Sequence, residues 1–83
     1  MNTTHDPPAD RAWRSFVARS NDVVVEGTVV QVMPFGAFVR VDEGVDGLLP
    51  RAETRTPVAL GDRVHARVLE IDEDARRFSL RQE

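Results

Sequence analysis

Between Val23 and Gln82 the chain breaks into five short β-prone stretches separated by turn residues. Val23 to Val32 is long and rich in β-branched residues, and Phe35 to Asp42 forms a second stretch. Glu43-Gly44-Val45 reads as the turn after it, and Asp46 to Pro50 as a short third strand. Arg51 to Leu60 contains Pro57 and no clear period, so it reads as a loop with one helical turn. Gly61-Asp62 opens a fourth strand, Arg63 to Ile71, in which Arg and His alternate with Val and Ala. Asp72-Glu73-Asp74-Ala75 is a tight polar turn, and Arg76 to Arg81 is the fifth strand. Five short strands with turn signals between them predict an all-β architecture, a small closed or nearly closed barrel.

The first 22 residues follow different rules. Residues 1–8 are polar with two prolines and read as disordered. Residues 9–19 carry apolar groups at Ala9, Ala12, Trp13, Phe16 and Val17, which is helical spacing. Asp6-Pro7-Pro8 is a start signal and Ser20-Asn21 a stop. Asp10 and Arg14 form a correctly ordered i,i+4 pair. So short a helix is not stable alone in water. The Trp13/Phe16 stripe therefore docks or frays, and the barrel of the same chain is the expected partner, ahead of a second protein or an RNA surface.

Eighty-three residues make one domain. With no Cys there is no disulfide framework and no thiolate metal site. No apolar run approaches the roughly 20 residues that span a bilayer, and the N-terminus lacks the basic and apolar blocks of a signal peptide. The expectation is a soluble cytoplasmic protein, complete from Met1. The net charge of −3 argues mildly against an avid nucleic-acid binder but leaves room for a local basic face. All eleven basic residues are Arg, a cation that both stacks on bases and forks onto phosphate.

Function concentrates in Met33-Pro34-Phe35-Gly36-Ala37-Phe38-Val39-Arg40. Two Phe lie three apart around a Gly in a chain with only five aromatic residues. Strand side chains alternate between faces, so Phe35 and Phe38 oppose each other unless Gly36 kinks or bulges the strand. If it does, both rings share an outer surface, and exposed rings on a small barrel are how proteins stack unpaired bases. If it does not, Phe38 is a core ring.

Four blocks also resemble one family. They are Glu26-Gly27-x-Val29-x-x-Val32-x-x-Phe35-Gly36-Ala37-Phe38-Val39, Gly44-x-Asp46-Gly47-Leu48-Leu49, Gly61-Asp62-x-Val64-x-Ala66-x-Val68-Leu69-Glu70-Ile71-Asp72 and Arg77-Phe78-Ser79-Leu80. In order and spacing they resemble the S1 RNA-binding domain, across residues 23–82. The resemblance implies a five-stranded OB-fold, an antiparallel β-barrel of S1 type, here with a short N-terminal helical extension. It implies single-stranded RNA as the ligand, Phe35 and Phe38 as stacking rings, and Asp72 and Arg77 as polar contacts. One departure stands out. Where the family often has Val-His-Ile-Ser, this chain has Leu49-Pro50-Arg51-Ala52, so Pro50 replaces the His and Arg51 lies one place on.

Other chemistry finds no support. Glu70-x-Asp72-Glu73-Asp74 lacks calcium-loop spacing, and His5 and His65 form no metal or catalytic constellation. There is no nucleophile elbow and no phosphate-cradling loop followed by Lys. The sequence predicts no cofactor, no metal, no small-molecule substrate, no membrane partner and no enzymatic activity. It predicts a weak RNA-binding accessory of the ribosome, RNA polymerase or RNA-decay machinery. Arg77 is the first candidate for phosphate contacts, then Arg40 and Arg51. The alternative is a protein-interaction adaptor that has kept the barrel and lost useful RNA binding. A positive ring of Arg around Phe35 would favour the first and an acidic one the second.

Overall fold

The structure, a computed structural model, describes residues 8–19 and 23–83. A helix, α1 (Pro8–Arg19), precedes five strands: β1 (Val24–Met33), β2 (Gly36–Asp42), β3 (Val45–Pro50), β4 (Arg63–Asp72) and β5 (Arg77–Gln82). A single 3-10 turn (Arg51–Glu53) supplies the helical turn expected after β3. The expected disorder at the N-terminus and the helix stop at Ser20-Asn21 lie outside the described residues, except that Pro8 already belongs to α1. Arg76 falls in the turn before β5, with a left-handed φ of 55°, rather than opening the strand.

The strands close into a barrel in the order β1-β2-β3-β5-β4. Four neighbouring pairs are antiparallel and β3–β5 is parallel. A closed ring with an odd number of strands cannot alternate direction all the way round, so one parallel seam is unavoidable. β1 is long because it serves two neighbours. Val24 to Thr28 pair with β4, and Thr28 to Met33 pair with β2.

Alternation along each strand sends one set of side chains inward. Val29, Ala37, Val39, Val45, Leu49, Val64, Ala66, Val68, Phe78 and Leu80 form the barrel core, joined by Trp13 and Phe16 of α1. Phe16 lies 4.3 Å from Phe78 between ring centroids, and Trp13 lies 6.1 Å from the same ring. The Asp10 carboxylate pairs with Arg76 of the β4–β5 turn. The helix therefore docks on its own barrel, as its apolar stripe required.

Candidate nucleic-acid interface

The β1–β2 connection places the first ring. Met33 pairs with Gly36, so Pro34 and Phe35 are the two residues of a hairpin loop and β2 starts at Gly36, not at Phe35. Gly36 adopts φ 154°, and a Cβ there would lie 2.4 Å from the Leu49 carbonyl oxygen. Glycine is thus required both by conformation and by the close pass over the end of β3. The irregularity of pairing expected at Gly36 sits instead in β1, between Val29 and Gln31. Phe35 escapes the alternation because it belongs to the turn. Phe38 follows it, between inward Ala37 and Val39, and points outward. The core alternative for Phe38 does not hold.

Both rings line one open groove together with Asp72 and Arg77. Phe35 is 57% exposed and Phe38 half-buried. The register explains the convergence. Phe38 pairs with Leu48, Leu48 with Ser79, and Ser79 with Glu70, a row of outward residues that crosses four strands. Ile71 and Phe78 also border it, but the Phe78 ring itself is an inward core ring that meets Phe16 and Trp13 of the docked helix.

Charge along the groove is uneven. Asp46, Glu70, Asp72, Glu73 and Asp74 line it against a single cation, Arg77. Asp72 uses one oxygen to accept the Ala75 N–H at 3.2 Å, so it shapes the turn as well as facing the groove. Arg77 is exposed and makes no side-chain hydrogen bond or ion pair among the described residues.

The other two expected cations are placed elsewhere. Arg40 stands beside the groove and grips Asp46 with two hydrogen bonds, Nε to Oδ1 at 2.8 Å and Nη2 to Oδ2 at 3.0 Å. Those bonds, and then the charge of Asp46, raise the Arg40 pKa above its ordinary value. The pair forms because Arg40 and Asp46 are direct cross-strand partners. Arg51 lines a separate, smaller depression with Val32, Met33 and Pro34. Its N–H donates to the Phe35 carbonyl at 2.9 Å and its guanidinium to the Pro34 carbonyl at 3.3 Å. Arg51 latches the loop that carries Phe35 instead of entering the groove. Leu48, Ser79 and Ile71 were missed by sequence reasoning. Period two counted outward from Arg77 on β5 finds Ser79.

The family model for the S1 RNA binding domain matches residues 20–81. The chain belongs to this family. Small ribosomal subunit protein bS1 of Mycobacterium tuberculosis is 41% identical over 90 residues, covering 96% of this chain and 18% of the relative. bS1 of Streptococcus pneumoniae is 43% identical over 65 residues, covering 69% and 16%. The chain thus spans less than a fifth of these curated relatives. Among solved structures, GSP13 from Bacillus subtilis superposes with a TM-score of 0.65 at 32% identity, covering 72% of this chain and 52% of that one. A chain of the a/eIF2alpha-aDim2p-rRNA complex from Pyrococcus horikoshii superposes at 0.66 and 25% identity, covering 75% and 43%. This S1 domain carries the barrel of its relatives together with α1 packed on its end. Among the described residues no helix is long and apolar enough to cross a membrane, and no group of three or more His, Cys, Asp or Glu side chains is placed to hold a metal ion.

Proposed function

We propose that this S1 domain binds single-stranded RNA in the groove headed by Phe35 and Phe38, with residues 23–82 as the binding domain and 1–22 as an extension. The observation that carries the reading is the exposed Phe35 ring, held out by a latched hairpin loop over the same groove that Phe38 lines. Stacking tolerates any base, so sequence preference is low, and each stacked base contributes about 1–3 kcal/mol. Two stacks and few phosphate contacts correspond to a dissociation constant of roughly 1 μM to 1 mM. Such affinity suits an accessory that gains avidity from a second contact. Relatives named as ribosomal proteins favour a translation setting, hence the cytoplasm, with transcription and RNA decay as further hosts. The domain acts as a binding module and not as an enzyme.

Replacing Phe35 with Ala is expected to lower single-stranded RNA affinity by about 5- to 150-fold with little change in stability. Phe38→Ala follows the same direction, because Phe38 faces outward. Fluorescence anisotropy with a labelled oligonucleotide, beside thermal melts, reads both quantities.

A second reading has one observation in its favour. Five groove carboxylates against Arg77 make the surroundings of the rings acidic, as an adaptor binding a basic protein segment would have them. If both Ala variants bind RNA like the parent, the adaptor reading replaces the first.

A further inference from the structure

The row of outward residues next to the groove floor holds a second, opposite charge. Ser79 of β5 is registered with Leu48 of β3, and two residues further along β5, on the same outward face, stands Arg81. Arg81 is the direct partner of Arg67 on β4. Like charges directly opposite each other on a sheet are destabilising. Arg67 is balanced by Glu83, Nε to Oε2 at 3.3 Å. Arg81 is exposed and makes no hydrogen bond or ion pair with its side chain among the described residues. Close by, Gln82 accepts the backbone N–H groups of Arg55 and Thr56 at 2.6 and 3.0 Å, which pins that loop to the end of β5. Arg55 is exposed, and its guanidinium is likewise unpaired among the described residues.

The groove therefore has two banks. On one side of the Phe38–Leu48–Ser79 floor lie the carboxylates near Asp72, and on the other, two residues beyond Ser79 on the same face of β5, lies the unpaired positive charge of Arg81. A nucleic-acid strand is just as lopsided, with phosphates along one side and bases along the other. With bases stacked on the Phe pair, only one orientation brings phosphates to guanidinium groups and keeps them from the carboxylates. We propose that Arg81 is a second phosphate-contacting site, so that the RNA backbone lies over the C-terminal end of β5 and the base edges face the acidic bank. Arg77, four residues back on the same strand and about 13 Å away, is the direct partner of Asp72 and lies on the acidic bank. This inference rests on the RNA-binding reading of the groove.

The test compares the full chain with Arg81→Gln, Arg63→Gln and Phe35→Ala, using a fluorescein-labelled 12-nucleotide single-stranded RNA of mixed sequence at several salt concentrations. Arg63 is the control, since it is exposed and paired with Glu26 on β1. Arg81→Gln is expected to weaken binding about three- to tenfold at low salt and to flatten the slope of log affinity against log salt by about 0.7, the value of one lost phosphate contact on a single strand. Arg63→Gln moves neither quantity. The melting temperature of Arg81→Gln stays level or rises, because the repulsion with Arg67 is gone. Parental affinity and slope in Arg81→Gln overturn the proposal. So does equal weakening by Arg63→Gln, or weakening that appears only with a fall in melting temperature. If Phe35→Ala weakens binding and Arg81→Gln does not, the groove stands and the second phosphate site falls. If neither changes binding, the second phosphate site falls and Phe35 leaves the site, and if Phe38→Ala also binds like the parent the RNA reading itself falls.

Discussion

Gly47 has no side chain because the Phe78 ring occupies the space where one would be. A Cβ at residue 47 would lie 2.1 Å from Cε2 of that ring. The ring has little freedom to retreat, since Phe16 stacks at 4.3 Å on it. Gly47→Ala is therefore expected to destabilise the fold by about 1–3 kcal/mol, the usual cost of overpacking. Urea unfolding would register this as a lower midpoint with an unchanged slope. The same scale decides what the sequence could reveal about the site. Phe35 and Phe38 stand out by their spacing around Gly36, Asp72 and Arg77 come only from the family resemblance, and the four residues line one groove. Arg40 is not legible, because its neutralisation by Asp46 depends on a cross-strand register that no residue count supplies. The placement of Arg51 is hidden from the sequence for a similar reason. Its backbone and side chain are both spent on the Pro34-Phe35 loop, a contact that closes only once β3 lies beside β2.

Among the elements, α1 is the one whose stability depends wholly on its neighbours. Twelve residues do not hold a helix in water, yet Trp13 is 7% exposed and Phe16 2%. Burying a large apolar side chain contributes about 1.5–3 kcal/mol, and part of that is lost to ordering the helix. Deleting residues 1–19 is expected to cost about 2–4 kcal/mol, which for a domain of this size lowers the melting point by very roughly 10–25 °C. The barrel itself should still fold, as strand-type circular dichroism would report. Trp13 gives a direct reading in the intact chain. Its emission should be that of a buried indole and shift to the red on unfolding, and a water-exposed maximum in the native protein would contradict the docking. The strands were legible to within a residue or two because alternation and turn residues are local signals. The pairing irregularity in β1 was not, since it arises where one long strand leaves β4 for β2.

For the whole molecule, charge sets how it meets a polyanion. Fourteen acidic side chains outweigh eleven Arg, and among the described arginines Arg40, Arg63, Arg67 and Arg76 are engaged with carboxylates of the chain itself. Few guanidinium groups remain to displace counterions, so log affinity for single strands should fall against log salt with a shallow slope, on the order of −1 to −3. Titrations from low to physiological salt would measure it. Binding unchanged by salt, or a preference for duplex DNA, would contradict a groove that works by stacking and a few phosphates. The parallel seam carries a last consequence at this scale. Because five staves cannot alternate, the ring is joined between β3 and β5 by a single registered pair, Leu48 with Ser79. Both residues of that pair also lie on the floor where a ligand would rest. A strand bound in that groove would lie across the seam with the fewest registered pairs, so it would act as a clasp on the fold at its most thinly laddered join.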